Sequence, residues 1–368
     1  MRVLQVGLSY NPGGIESFVM NYYRRLAKKG IQFDFICMYE KLAYEDEIKM
    51  LGGKIFYLPN IKKNPLSFSK KFRKILLAGK YKVVHVNMLS AANVLSLKIS
   101  HRMGIRMVIA HSHNTHTLGL IRKVMHYFNQ KKIVKYANAF WACSQEAGNW
   151  LFGQWLESEK IRVIYNAIDP KTYTFSEDAR VQCRNELGIS KNTYVILHVG
   201  RLESQKNHMF LIDIFEKFLQ KEPNSVLLLA GDGKLQAAIY GKAVQKHIEG
   251  KIMFLGIRND VAKLYSAADV FCFPSLFEGL SLTAVEAQVN GLDCIFSDKI
   301  DGEAIFSPNV KINSLCDSPE EWADSIFQMK SKSKRSEGDN SLYLKLIKKA
   351  GFDITDQAEK LEKLYRDG

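Results

Sequence analysis

The sequence lacks the features that define several large classes of protein. Its 368 residues contain no run of eighteen or more apolar residues, so no membrane-spanning helix is predicted. The first residues, MRVLQVGLSY, do not show the charged region, long apolar region and cleavage site of a secretory signal peptide. The six cysteines lie far apart and form no CxxC pair. Such spacing favours reduced, buried thiols and a cytosolic protein.

Acidic residues are missing from a long part of the N-terminal half. None occurs between Glu47 and Glu146, an interval that carries IKKN, SKKFRK, IRK and NQKKIVK. Residues 1–165 hold 26 Lys and Arg against 9 Asp and Glu, a net charge of +17, whereas residues 166–368 hold 26 against 29, a net charge of −3. This imbalance predicts an anionic partner, a membrane surface or a nucleic acid, for the first half only. A solvated basic face is the alternative.

Short apolar runs alternate with helical patterns along the chain. VLQVGL, FDFICMY and VVHVNM predict strands in the first half, and YVILHVG, SVLLLAG and VFCFPS predict strands in the second. Continuous apolar strands joined by helices indicate parallel sheets that are covered on both faces. The pattern restarts near NAID, which predicts an α/β fold of two Rossmann-like, doubly wound domains facing a cleft. We expect domains at 1–165 and 166–345, and a helical tail at 346–368 that packs back on the first domain.

Charged residues and tight turns follow the predicted strands of the second half. Arg201 and Lys206 come just after YVILHVG, Glu278 comes after VFCFPS, and the turn Asp232–Gly233 comes after SVLLLAG. Ligands of doubly wound sheets bind beyond the carboxyl ends of the strands. Backbone N–H groups at Gly279–Ser281, at the start of a predicted helix, favour an anion. Two cations beside such a helix predict a diphosphate pocket.

Two glutamates, Glu278 and Glu286, stand eight residues apart in the stretch FPSLFEGLSLTAVEA. If both were helical, about 12 Å would separate them along the axis. This is more than the roughly 5–9.5 Å between the two carboxyl groups of a glycosidase. We therefore expect Glu278 to precede the helix and Glu286 to lie two turns inside it, so that they grip different parts of one extended ligand. No DxD motif occurs, and no metal site is predicted.

Five segments, taken in order, resemble the retaining glycosyltransferases of family 4, which have the two-domain GT-B fold. The E-x7-E spacing resembles the signature of that family, and GRLESQKN resembles its nucleotide-diphosphate clamp. NPGGIE resembles its Gly-Gly loop, and VIYNAID its interdomain hinge. HSHNT is similar to a segment of the bacterial capsule and exopolysaccharide members. Two residues depart from the pattern, since Ala167 replaces the usual hinge glycine and Ser281 replaces a common proline.

The resemblance implies a role for each matching residue. Glu278 would hold hydroxyls of the donor sugar, and Glu286 would hold the ribose. Arg201 and Lys206 would neutralise the leaving diphosphate, which is the work of a metal in other transferases. The other expected donor-binding residues would approach the phosphates or the base, and they are Gly13, Gly14, Asp232, Gly233, Ile257, Arg258, Gly279, Leu280, Ser281 and Leu282.

The segment HSHNTH, residues 111–116, ends a predicted strand of the basic half. His111 and His113 fall on the same face of that strand, and both are predicted to bind the acceptor. His113 best matches the histidine that the family places near the reacting centre, where it would orient groups more than titrate. A structural imidazole and a zinc site of the form H-x-H-x2-H are the alternatives, although no carboxylate or cysteine lies nearby in the sequence.

The sequence thus predicts a cytosolic, retaining glycosyltransferase that needs no metal or other cofactor. It would move a sugar from a nucleotide-sugar to a lipid-linked glycan in exopolysaccharide or capsule biosynthesis, peripherally bound at the anionic inner face of the plasma membrane. A nucleotide-sugar epimerase of the same fold is the main alternative. The chain has neither a G-x-G-x-x-G fingerprint nor a P-loop, which disfavours an NAD oxidoreductase and a P-loop NTPase. It has no recognised nucleic-acid-binding module, so no nucleic acid is expected.

Overall fold

A computed structural model describes residues 1–11, 13–115, 119–278, 280–330 and 335–367. The chain forms two compact units, unit 1 (Met1–Ile168 with Asp353–Gly368) and unit 2 (Asp169–Phe352). Each unit is built on one sheet in which every strand pairing is parallel. The prediction of an α/β fold with two Rossmann-like domains is therefore confirmed.

The sheet of unit 1 has seven strands in the order β3-β2-β1-β4-β5-β6-β7. The strands are β1 Arg2–Val6, β2 Gln32–Cys37, β3 Ile55–Tyr57, β4 Val83–Met88, β5 Met107–Ser112, β6 Ala139–Ala142 and β7 Arg162–Val163. The helices of unit 1 are α1 Gly14–Leu26, α2 Glu45–Met50, α3 Pro65–Gly79, α4 Leu95–Arg102, α5 Leu120–Tyr136, α6 Gln145–Phe152 and, after the chain has passed through unit 2, α15 Ile354–Asp367.

Successive strand residues of unit 1 face two separate cores, because side chains alternate across a sheet. Val3 of β1 packs in the core that is covered by α1 and α15, whereas the next residue, Leu4, packs in the core covered by α3, α4, α5 and α6. The strands are therefore apolar on both faces, as a parallel sheet between two helical layers requires. This is why the strands appear in the sequence as continuous apolar runs.

The sheet of unit 2 has six strands in the order β10-β9-β8-β11-β12-β13. The strands are β8 Tyr194–Val199, β9 Ser225–Ala230, β10 Ile252–Gly256, β11 Val270–Phe273, β12 Asp293–Ser297 and β13 Val310–Asn313. The helices are α7 Pro170–Tyr173, α8 Glu177–Glu186, α9 His208–Lys221, α10 Gln236–Gln245, α11 Val261–Ala267, α12 Leu282–Val289, α13 Pro319–Lys330 and α14 Asn340–Ala350. In the described part of the chain, no helix is both long and apolar enough to cross a membrane.

The units divide at slightly different residues from those expected. Unit 1 extends to Ile168, three residues beyond the expected boundary, because Ala167 is fully buried in its core and its carbonyl accepts a hydrogen bond from Asn21. The C-terminal segment of unit 1 begins at Asp353 rather than at residue 346. Residues 346–350 belong to α14, which packs on α12 of unit 2 and ends where Gly351 takes a left-handed conformation (φ 86°). The last helix, α15, packs against α1 of unit 1.

Candidate functional site

The predicted residues of unit 2 lie in the loops that follow four neighbouring strands. In the sheet order β10-β9-β8-β11, these strands stand side by side, and their parallel directions bring all four carboxyl ends to one edge. The segments that follow them, up to the first residue of α12, carry the predicted residues Ile257, Arg258, Asp232, Gly233, Arg201, Lys206, Glu278, Leu280, Ser281 and Leu282. Gly279 lies outside the described residues. The fold thus gathers positions that span 82 residues of sequence, from 201 to 282, at a single edge.

Lys206 and Glu278 form a largely buried ion pair at this edge. The ammonium Nζ lies 2.7 Å from Glu278 Oε1, and the two side chains are only 13% and 8% exposed. The same ammonium stands 4.4 Å from the centre of the Phe273 ring. Burial lowers the pKa of Lys206, and the carboxylate of Glu278 opposes that effect. Two opposite charges are thus held together with little water, as is common in sites that bind charged ligands.

Arg201 differs from Lys206 in its exposure. Its side chain is 73% exposed, and its nearest carboxylate partner, Glu203, lies 3.7 Å away. An exposed ion pair of this length contributes little to stability because water and salt screen it. The guanidinium can therefore turn towards an anion with little loss, whereas Lys206 is already fixed in position.

Two other predicted positions are engaged within the fold. Arg258 donates two hydrogen bonds, of 2.8 and 2.6 Å, to the carboxylate of Asp260, and Ile257 beside it is 79% exposed. Gly233 is required by packing, since a Cβ there would lie 2.5 Å from the carbonyl oxygen of Leu202. The loops after β8 and β9 are also joined by the hydrogen bond from Leu202 N to Asp232 O, of 3.0 Å. These residues shape the edge, and the charge of Arg258 is paired with that of Asp260.

Glu286 lies in the second turn of α12, and Glu278 precedes this helix. Glu286 is 9% exposed, and its Oε2 lies 3.0 Å from the hydroxyl of Tyr265. That hydroxyl is also 3.2 Å from the carbonyl of Thr283. The single proton of the Tyr265 hydroxyl is therefore donated to Glu286, to Thr283, or to both at once in a three-centre hydrogen bond. Burial raises the pKa of Glu286 to about 7, although hydrogen bonds with Tyr173 and Tyr265 oppose the rise.

The glycine loop of unit 1 leads directly into α1. Gly14 is the first residue of the helix, and a Cβ built on it would meet no atom within 4 Å, so the space beside this turn is open. The buried Glu16 accepts a hydrogen bond of 2.7 Å from the backbone N–H of Ser9 and thereby closes the loop. A Cβ on Gly13 would lie 2.9 Å from Glu16 Oε2. The loop that joins β1 to α1 therefore depends on Glu16 as well as on its glycines.

His113 follows β5 and is half-buried. Its Nε2 lies 2.9 Å from Asn87 Oδ1, while the amide nitrogen of Asn87 donates to Gln5 Oε1 at 3.0 Å and to Val6 O at 3.3 Å. These two donated bonds orient the Asn87 side chain, so its oxygen must accept the proton of His113 Nε2. Burial lowers the pKa of His113 to about 3. The imidazole is thus neutral, with its proton on Nε2 and the lone pair on Nδ1.

The prediction that His111 binds the acceptor requires correction. His111 is 0% exposed, and its Nδ1 lies 2.9 Å from Nε2 of the equally buried His85, which also contacts the hydroxyl of Tyr365 at 2.7 Å. Burial holds the pKa of His111 well below its usual range. An acceptor cannot reach this ring without opening the core of unit 1. Of the two histidines, only His113 is partly exposed.

Sequence reasoning missed the residues that support the predicted ones. Asn87, Gln5 and Tyr365 surround the histidines, and Tyr265 contacts Glu286. One signal was available, because VVHVNM places polar residues at alternate positions of an otherwise apolar strand, on one face of the sheet. Tyr365 gave no signal, since 277 residues separate it from the end of β4. Among the described residues, no group of three or more His, Cys, Asp and Glu side chains is placed to hold a metal ion.

Comparison with known proteins places both units in characterised families. The protein-family model described as "Glycosyl transferases group 1" matches residues 180–341, and the family model described as "Glycosyltransferase Family 4" matches residues 12–172. The putative glycosyltransferase EpsF of Bacillus subtilis is 35% identical over 306 residues, covering 81% of this chain and 79% of the relative. An Escherichia coli enzyme, UDP-Gal:alpha-D-GlcNAc-diphosphoundecaprenol alpha-1,3-galactosyltransferase, is 29% identical over 228 residues, covering 58% and 56%.

A solved structure has the same fold over the whole chain. Anabaena Alr3699/HepE, crystallised in complex with UDP, superimposes with a TM-score of 0.82 and covers 100% of both chains. Its sequence is 18% identical, so this likeness concerns the fold alone.

Proposed function

This chain belongs to the GT-B glycosyltransferases, and we propose that it is a retaining, metal-independent member that uses a nucleotide-sugar donor. The observation that carries the proposal is the buried pair of Lys206 and Glu278 at the carboxyl edge of the unit 2 sheet, with Arg201 exposed beside it. A diphosphate needs fixed positive charge, and a sugar needs hydrogen-bond acceptors. At this edge of the sheet, Lys206 supplies the positive charge and Glu278 supplies the acceptor.

The ion pair suggests how the donor would bind. In the free protein, Glu278 neutralises Lys206, so a buried ammonium is not left unpaired. An arriving diphosphate would share the charge of Lys206, and the carboxylate of Glu278 would then accept hydrogen bonds from sugar hydroxyls. Arg201 would turn from Glu203 to the phosphate that carries the leaving charge. Fixed cations aimed at developing negative charge lower the barrier without a metal.

Glu286 would hold the ribose of the donor. Its raised pKa, of about 7, means that the carboxyl can exist in either protonation state near neutral pH. A ribose has hydroxyl groups that both donate and accept, so both states can bind it. The UDP bound by the Anabaena neighbour makes uridine the first nucleoside to test.

His113 would orient reacting groups in unit 1. The contact with Asn87 leaves the lone pair of Nδ1 to accept a hydrogen bond, so the neutral ring can position a hydroxyl but is a weak base. We propose a lipid-linked glycan acceptor, because the name of the Escherichia coli relative includes a diphosphoundecaprenol substrate and because unit 1 carries the excess positive charge. A cytoplasmic protein at the anionic inner face of the membrane, serving exopolysaccharide or capsule synthesis, fits both features.

The donor proposal is tested by incubating the protein and a lipid-linked glycan acceptor with a panel of nucleotide-sugars in the presence of excess chelator. We expect release of nucleoside diphosphate from one donor, and NMR of the product should show that the anomeric configuration is kept. A nucleotide-sugar epimerase would instead give an isomerised donor with no free diphosphate. Activity that is lost in chelator and restored by an added divalent metal would contradict metal independence.

A further inference from the structure

The first half of α5 projects from unit 1. All six residues from Leu120 to Met125 are exposed, and the buried side chains of this helix begin only at His126. Apart from His126, the helix is held by Asn129, Gln130 and Ile133. Three of these four anchoring residues are polar or titratable. The helix therefore packs on the unit through a mostly polar strip, which is the reverse of a usual surface helix.

The apolar residues of α5 lie on the side that faces away from unit 1. At about 100° per residue, the four buried side chains fall within an arc of about 100°. The exposed apolar side chains occupy an arc of about 160° centred opposite to it. They are Leu120 (78% exposed), Ile121 (79%), Val124 (60%), Met125 (46%), Tyr127 (65%) and Phe128 (76%). An apolar cluster of this size on an outward face is characteristic of an interaction surface.

The six apolar residues just named form the outer face of α5. Positive charge surrounds this face. Arg122 and Lys123 flank it at the two sides, and Lys131, Lys132 and Lys135 continue its line towards the C-terminal end of the helix. The Lys132 ammonium stands 4.7 Å from the centre of the Phe128 ring. No acidic residue lies anywhere in residues 48–145, so the local chain offers these cations no carboxylate.

The neighbouring helices extend the same surface. α4 packs between α3 and α5 in one helical layer on the sheet of unit 1. α3 carries four cations, at residues 70, 71, 73 and 74, together with Leu66 and Leu77, which are 84% and 67% exposed. The layer thus combines exposed apolar side chains with unbalanced positive charge on two of its helices.

We propose that the outer face of α5 inserts into the interface of an anionic lipid bilayer. A second copy of this chain is a poor occupant, because two equally positive faces repel. A nucleic acid would match the charge but would leave the apolar side chains in water. An anionic bilayer satisfies both, since the headgroups pair with the lysines while the apolar face sinks about 5–10 Å towards the acyl chains. This inference rests on the proposed membrane-bound acceptor, and it adds a specific element that anchors the protein.

Insertion predicts a component of membrane binding that salt does not remove. Attraction between exposed charges is screened within about 10 Å at 0.1 M salt and about 3 Å at 1 M, whereas burial of apolar side chains persists. The test uses the full chain and mixed phosphatidylglycerol–phosphatidylcholine vesicles, with binding measured by co-flotation at about 0.1 M and about 1 M salt. The test variant is Ile121→Gln, Val124→Gln and Phe128→Gln together, because glutamine keeps helix propensity.

A matched control removes three exposed apolar side chains from unit 2, as Val181→Gln, Tyr240→Gln and Val244→Gln. We expect the α5 variant to bind vesicles roughly 1,000-fold more weakly at high salt, since burying each of the three side chains contributes about tenfold. The control should bind like the wild type. A Phe128→Trp variant should show indole quenching by brominated lipids, which reports insertion directly.

The outcomes separate this inference from the proposed function. Equal vesicle binding of the α5 variant and the wild type at both salt concentrations would overturn insertion. Failure of the wild type to bind mixed vesicles at all would overturn both insertion and the membrane location. A shift of the α5 variant from dimer to monomer in sedimentation would assign the face to self-association instead. Release of nucleoside diphosphate, measured with a detergent-dissolved lipid-linked acceptor and no vesicles, tests the donor reaction independently, and its absence in the wild type would contradict the transferase proposal alone.

Discussion

In the wild type, the stability of unit 2 should depend on pH between about 4.5 and 7 because of Glu286. The substitution Glu286→Gln should remove this dependence. Burial raises the pKa of Glu286 from an ordinary 4.5 to about 7 in the folded protein. Between these two values, the unfolded chain has lost the proton while the folded protein still holds it. Stability of the wild type should therefore fall as pH rises through this window. The loss amounts to about 3 kcal/mol, at 1.36 kcal/mol per pKa unit.

Glutamine has the shape of the protonated acid and carries no charge at any pH. We expect the variant and the wild type to be similarly stable near pH 4, and the variant to be about 3 kcal/mol more stable near pH 8. Hydrogen exchange of backbone amides in β8 and β11, the central strands of unit 2, measures this free energy separately from unit 1. Glu186→Gln, at an exposed glutamate of α8, is the matched control and should show no such trend.

One result would refute this reasoning. If the stability difference between the wild type and Glu286→Gln stays constant from about pH 4 to 8, the carboxyl ionises as freely in the fold as in the unfolded chain. The hydrogen bonds from Tyr173 and Tyr265 would then offset the cost of burying the carboxylate, and the raised pKa of Glu286 would be wrong.

Three further predictions concern Arg201, His113 and the cations of α3. Arg201→Ala should lower kcat, because about 3–4 kcal/mol of transition-state stabilisation is lost. The control Lys251→Ala, at an exposed cation of unit 2, should leave kcat unchanged. Near wild-type turnover of the Arg201 variant would contradict its role at the diphosphate. His113→Ala should lower kcat roughly 100-fold with little change in donor affinity, and His113→Asn should restore part of the rate, which an obligate base would not allow. Reversing the four cations of residues 70–74 to Glu should weaken binding to anionic vesicles at about 0.1 M salt, by removing part of its salt-sensitive component, without unfolding the chain, as circular dichroism would show. Unchanged binding would leave these residues as a solvated face.

Much of the fold was predictable because parallel strands are buried on both faces. Such strands appear as continuous apolar runs, and the helices between them imply crossovers to the same sheet. The place of the candidate donor site followed from the same reasoning, since the loops after β8, β9, β10 and β11 had to meet at one edge. The expected enzyme class was also correct, because five short motifs in order are more specific than any one of them.

The errors arose where long-range packing decides the outcome. His111 and His113 are equivalent in the sequence pattern, yet the first is enclosed by His85 and Trp141 while the second stands past the end of the strand. The expected tail at 346–368 is divided between the units, because α14 packs on α12 of unit 2 and α15 packs on α1 of unit 1. Local patterns carry no information on which side chains will enclose a residue.

The sequence by itself determined the elements of this protein, their order and the loops that carry charge. These properties depend on periodicity, turn residues and charge, which are local. Only the tertiary structure decided that Lys206 is paired with Glu278, that Glu286 faces Tyr265, and that the apolar side of α5 points outwards. Each of these depends on residues that are distant in the chain and close in space, and burial among such neighbours is what sets the charge and the exposure of a side chain.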